Sequence, residues 1–182
     1  MSLRLRIGLA AALSLALTAG ATAAPAPAPK TAPFDPKTQV DGTVLQVIFG
    51  ERALFRLDDG GLPVLDAVQK GTLAIAHPPG AALESFTAPG PGLLAAALDG
   101  SAETHATVLK VWNHTGQALE YSAHALVLQG QVLHPVALTP CPVPAGGVRV
   151  ESWPAPIVAV GLTRFKPASK AALARPACKR GK

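Results

Sequence analysis

Prolines and glycines recur at short intervals from residue 24 onward, and they restrict the fold of this chain more than any other feature. Its 18 prolines and 17 glycines leave little room for long helices. Proline lacks a backbone N–H, and glycine raises the entropic cost of a helix interior. Between these breaks the apolar residues repeat at every second position, the period of a strand with one buried face. Strands are expected at 41–49, 52–57, 62–68, 71–76, 92–98, 103–112, 118–128, 131–138, 148–152 and 156–165. Turn residues separate them at Asp59-Gly60-Gly61, Gln69-Lys70-Gly71, Asp99-Gly100, Gln129-Gly130 and Ala145-Gly146-Gly147. Many short strands with frequent turns predict an antiparallel sandwich or barrel. Pro63 assigns 62–68 to a sheet edge, and "GLLAAAL" at 92–98 reads equally as helix, because Ala and Leu favour one.

The stretch "VWNHTGQALEY" at 111–121 reads as a hairpin. Alternation puts Thr107, Leu109 and Val111 on one face of the first arm, and Leu119, Tyr121, Ala123, Ala125 and Val127 on one face of the second. Pairing Val111 with Leu119 and Leu109 with Tyr121 also sets Lys110 opposite Glu120, so hydrophobic pattern and charge favour one register. The remaining loop, His114-Thr115-Gly116, fits a turn with Gly116 left-handed and Asn113 accepting a backbone N–H. On this reading His114 is an exposed tip residue, open to a partner.

The ends of the chain differ from its middle. Arg4 and Arg6 precede an apolar run from Ile7 to Ala19 and small residues around Ala21 to Ala23, the pattern of a signal peptide (1–23) cleaved after Ala23. The Ala/Pro-rich stretch that follows (24–37) is expected to be a disordered, extended linker. Residues 38–166 then form the folded domain, and 167–182 a basic, part-helical tail. Arg164, Lys166, Lys170, Arg175, Lys179, Arg180 and Lys182 face no acid in the last stretch, whereas residues 24–163 carry a net charge of −4. The sparse spacing of these cations argues against nucleic acid as a partner. The two cysteines, Cys141 and Cys178, are expected to form a disulfide, since an exported protein folds in an oxidising compartment. No second apolar span follows the leader, so membrane insertion after cleavage is not expected.

Sites of chemistry are sparse. His105, His114, His124 and His134 recur at spacings of nine and ten residues. The strand pattern turns them to different faces, while zinc needs its ligands to converge within ~2 Å. No nucleophile elbow, Ser-x-x-Lys, zincin or phosphate-loop motif is present, so catalytic, cofactor and metal residues are all expected to be absent. Asn113-His114-Thr115 matches a glycosylation acceptor, which we read as coincidental in an Ala/Pro-rich bacterial export product. In "CPVPAGGVRVESWPAPI", Trp153 is expected to anchor a strand end in the core; its alternative role is contact with a partner. Glu151 is expected to pair with Arg149 or a tail lysine.

The phrases "LKVWNHTGQALEYSAHAL" and "TPCPVPAGGVRVESWPAPI" together resemble an uncharacterised family of exported (periplasmic or secreted) proteobacterial proteins with an immunoglobulin-like β-sandwich. The resemblance spans roughly residues 70–165. It implies an all-β, antiparallel, immunoglobulin-like sandwich and carries over no functional residue. It departs from immunoglobulin domains in the disulfide, since Cys178 lies in the tail rather than across the core. The functional expectation is a non-catalytic binding or assembly module in the periplasm, with edge strands such as 62–68 taking a protein partner by strand addition. The alternative is a periplasmic copper- or zinc-handling protein using surface histidines, among them His124 and His134.

Overall fold

The computed structural model describes residues 37–179. The expected signal peptide, the linker up to residue 36 and the last three residues lie outside it. The expected sandwich is found. The strands are β1 (Gln39–Asp41), β2 (Val44–Ile48), β3 (Glu51–Leu57), β4 (Pro63–Lys70), β5 (Leu94–Ser101), β6 (Ala106–Asn113), β7 (Leu119–Gln129), β8 (Val132–Leu138), β9 (Gly147–Trp153) and β10 (Ile157–Pro167). Two short helices, α1 (Lys170–Ala174) and α2 (Pro176–Lys179), follow. The first sheet has the order β1-β2-β10-β7-β8 and the second β4-β3-β5-β6-β9, all named neighbours antiparallel.

Alternation explains the core between the sheets. Leu45 and Val47 of β2, Tyr121, Ala123 and Ala125 of β7, and Val160, Leu162 and Phe165 of β10 point inward from the first sheet. Ala53 and Phe55, Leu94, Ala96 and Leu98, and Leu109 and Val111 meet them from the second. Phe165 ties the two halves together: its ring centroid lies 5.4 Å from that of Phe55 and 5.6 Å from that of Tyr121. Phe165 can face inward because β10 carries a bulge. Three steps on β10, from Thr163 to Lys166, match two on β7, from Ser122 to Glu120, which resets the alternation.

The second sheet is covered on its outer face too. Residues 71–93 run across it as a strap, burying Leu73, Ala76 and Phe86 against Ala95, Ala97, Val108 and Trp112. The expected strand at 71–76 is therefore corrected: it opens the strap and contains a single 3-10 turn, Ala74–Ala76. Its backbone is satisfied by a side chain instead of a ladder, since the Leu73 N–H donates to Asp99 Oδ2 at 2.7 Å. Asp99-Gly100, expected as a turn, lies within β5, and both ambiguous faces of "LLAAAL" are buried. Small alanines let the strap approach. At Gly100 an added Cβ would lie 2.7 Å from the Ala106 carbonyl oxygen. The strap is pinned by Arg52, buried beneath it, whose guanidinium carbon lies 5.1 Å from the Phe86 ring centre and 5.5 Å from that of Trp112. Arg52 Nη1 also donates to the Thr87 carbonyl at 2.5 Å.

The hairpin expectation for 111–121 needs the largest correction. β6 pairs with β5 and β9, and β7 pairs with β10 and β8, so the two arms belong to different sheets. Their inward faces were read correctly, but those faces look at each other across the core instead of lying side by side. Accordingly Lys110 pairs with Glu84 at 2.9 Å and Glu120 with Lys166 at 3.1 Å. Gly116 is not left-handed. The corner is held by Asn113, fully buried, whose Nδ2 donates to the carbonyls of Gln117, Val143 and Pro144. As expected, Asn113 accepts a backbone N–H, that of Thr115 at 3.0 Å. The Asn-x-Thr pattern is thus occupied by architecture.

Candidate functional site

The two flanks of a sandwich are where its sheets end and where unpaired backbone appears. At one flank β1 packs against β4. At the other, β8 and β9 end their sheets without comparable packing between them. The register of β8 with β7 puts Leu138, Val136, His134 and Val132 on the same face as Ala123, Ala125 and Val127. That face is the core side, yet Val132 is 57% and Val136 40% exposed. Across the gap β9 presents Arg149, Glu151 and Trp153 on its core side, since these residues pair with inward Val111, Leu109 and Thr107. From Val148 to Ser152 the far edge of β9 has no backbone partner among the described residues.

This open flank also holds unmatched polar groups. The Tyr121 hydroxyl and Arg149 Nε are buried and have no hydrogen-bond partner. Burial pushes the Tyr121 hydroxyl well above its ordinary pKa; the nearby Glu151 carboxylate pushes it further, and Arg149 partly offsets the rise. Tyr121 is therefore a neutral donor. Glu151 Oε1 accepts the Cys141 N–H at 2.7 Å. Glu151 thus braces the connection from β8 to β9, where it was expected to pair with Arg149 or a tail lysine. Buried donors without acceptors are uncommon in folded proteins; two of the three among the described residues lie at this flank, and the third, Arg52 Nε, lies beneath the strap.

Cys141 and Cys178 stand at bonding distance, S–S 2.08 Å and Cα–Cα 5.4 Å. The pair joins the β8–β9 connection to α2, so the tail segment through residue 178 is fastened beside this flank. Such a pair fits an oxidising environment. The other named residues separate. Trp153 is half-buried on the core side of β9 and packs on the core, in keeping with its anchoring role. His114 is half-buried and is not a hairpin tip: its N–H donates to Leu93 O and its carbonyl accepts from Gly92, extending the β5–β6 ladder. Trp153 lies across from Thr107 and His114 beyond Asn113, so β6 sets them on the order of 20 Å apart. They cannot serve one contact of a few residues.

The histidines are likewise dispersed. His77 Nε2 is bonded to Asp99 Oδ2 at 2.9 Å, His105 lies in the β5–β6 turn with φ 50°, and His124 and His134 point to opposite faces of the first sheet. Among the described residues, no group of three or more His, Cys, Asp or Glu is placed to hold a metal ion. Sequence reasoning missed Tyr121 and Arg149 as site residues. Alternation could have found Arg149, a charged side chain at an inward position of a strand. Comparison with known proteins gives no further guide: no family model, no curated protein and no solved structure matches the chain.

Proposed function

We propose that this chain is an exported, non-catalytic binding module, periplasmic or secreted, that takes an extended segment of a partner protein on the free edge of β9. The carrying observation is the open flank, where exposed core-side valines of β8 stand opposite an edge with unpaired N–H and C=O groups. A partner segment pairing with β9 would extend the second sheet and cover Val132 and Val136. Its inward residues would be apolar at every second position, matching the valines. The expected acceptor at 62–68 corresponds to β4, which is an edge strand, but β1 packs against it. For that reason β9 is the better acceptor. The resemblance to exported proteobacterial proteins and the cysteine pair agree with export.

The test couples position to backbone protection. A photo-crosslinking residue at Val136 should capture the partner, while one at exposed Val68 on β4 should not. In the purified complex, amide exchange at 148–152 should slow by about tenfold or more. Capture at Val68 alone, or a complex with unprotected β9 amides, would overturn the reading. N-terminal sequencing of the exported protein should begin at Ala24.

A further inference from the structure

A second feature lies where the first sheet meets helix α1; it shares Tyr121 and Leu138 with the open flank, but it needs no strand added to β9. A groove of about 780 Å³ runs between β7, the β10 bulge, the loop after β8 and helix α1. Its charged lining is Arg164, Lys166, Arg175 and Glu120, three cations against one carboxylate. Glu120 is already committed, accepting from Lys166 Nζ at 3.1 Å, Ser169 N at 3.2 Å and Ser169 Oγ at 3.1 Å. Arg175 Nη2 donates to the Pro140 carbonyl at 2.5 Å, and with the Cys141–Cys178 bond it fixes one wall to the other.

Arg164 differs from the other three. It has no hydrogen-bond or ion-pair partner among the described residues, its side chain is exposed, and its backbone sits at φ 56°. That is the left-handed position of a bulge, where glycine is favoured and a side chain costs roughly 1–2 kcal/mol. The bulge itself is explained, because it turns Phe165 inward. Packing does not explain an arginine there. Strain held in a residue with no structural partner points to use of its head group. Guanidinium groups recognise phosphate oxygens through paired N–H donors, and a phosphate monoester carries about −1.5 to −2 at neutral pH. That charge balances the surplus of two cations in the groove.

We propose that this groove binds a phosphate monoester, with Arg164 as the principal ligand-facing residue and Lys166 and Arg175 as fixed supporting charges. The ligand's source is either a free phosphorylated molecule or a phosphomonoester lipid headgroup. The mature chain is titrated with inorganic phosphate at constant ionic strength, and separately sedimented with phosphatidylcholine vesicles with and without phosphatidic acid. Saturable phosphate binding is expected to weaken about tenfold or more in Arg164→Gly, with Arg164→Lys retaining part of it. The same Arg164→Gly protein should melt at an unchanged or higher temperature, because glycine relieves the left-handed strain. Vesicle binding that needs both phosphatidic acid and Arg164, without binding of free phosphate, supports the site and assigns it to lipid. Three results would overturn it: no saturable binding in either arm, binding indifferent to Arg164→Gly, or a lowered melting temperature in that variant.

Discussion

Where β1 packs against β4, the edge strand is guarded, although Val68, core-side by its pairing with Ala53, is 41% exposed. β4 starts at a proline, carries a bulge against β3 and bears the Arg56–Asp66 ion pair. Where β8 and β9 end their sheets, the core-side valines of β8 are exposed, and two buried donors, on Tyr121 and Arg149, lack acceptors. Natural sheets suppress edge pairing with prolines, bulges and charge. β4 has all three devices, whereas β9 has neither proline nor bulge along its length and carries only charge, in the inward Arg149 and Glu151. The contrast teaches that one edge of this protein is protected and the other is left available. There the β8–β9 connection packs Val143 into the core and bonds it to Leu119, and a disulfide and a short helical tail brace it from outside.

The largest test removes what the two flanks share. Phe165→Ala deletes the ring between Phe55 on the guarded side and Tyr121 on the open side. It should cost about 3–5 kcal/mol in denaturant unfolding. A loss below 1 kcal/mol would mean that the halves do not depend on one another. Next comes the brace. Changing Cys141 and Cys178 together to serine opens a loop with a sequence separation of 37 and should cost about 2–4 kcal/mol. Exchange should rise at 139–146 and 168–178 and stay unchanged in β1 and β4; uniform loosening would erase the distinction between flanks.

A smaller effect of opposite sign is expected at the orphan hydroxyl. Tyr121→Phe removes a buried donor without an acceptor, so the free protein should gain up to about 1 kcal/mol or stay level. A loss larger than that would show that the hydroxyl is satisfied in solution and the flank is closed. The smallest effect is a pH response of the tail. Hydrogen bonds from Lys166 and Ser169, with the Lys166 charge, hold the Glu120 carboxyl below its ordinary value. A lowered folded-state pKa means that the contact with the start of α1 is fully present above the ordinary glutamate range. It is lost as pH falls through the lowered value. The Ser169 amide shift should report a midpoint below that of an exposed glutamate, and Lys166→Met should raise it.

Much of this was legible because strand periodicity is local. The alternation in "LEYSAHALV" assigns an inward face without knowledge of any neighbour, and β7 uses the face that was expected. Pro63 marked an edge, and glycines at 61, 130 and 146 marked turns that the chain makes. What misled was also local. "GTLAIA" alternates, but Asp99, distant in sequence, satisfies its backbone. Lys110 and Glu120 match in charge, but each has a different partner, Glu84 and Lys166 respectively. Tyr121 is an inward aromatic in any register, and only the absence of an acceptor across the gap makes it a site residue.

The sequence by itself determined the all-β class, the inward faces of β6 and β7 and the two cysteines available for pairing. Each depends on spacing along one chain segment. Only the tertiary structure decided that the arms of "VWNHTGQALEY" part into opposite sheets. Two inward faces look alike in sequence whether they lie side by side in one sheet or stand about 10 Å apart across a core. It also decided that β9 is the open edge and that an arginine occupies a left-handed bulge above a basic groove. These properties arise from which segments meet, and that choice is made by burial summed over the whole domain.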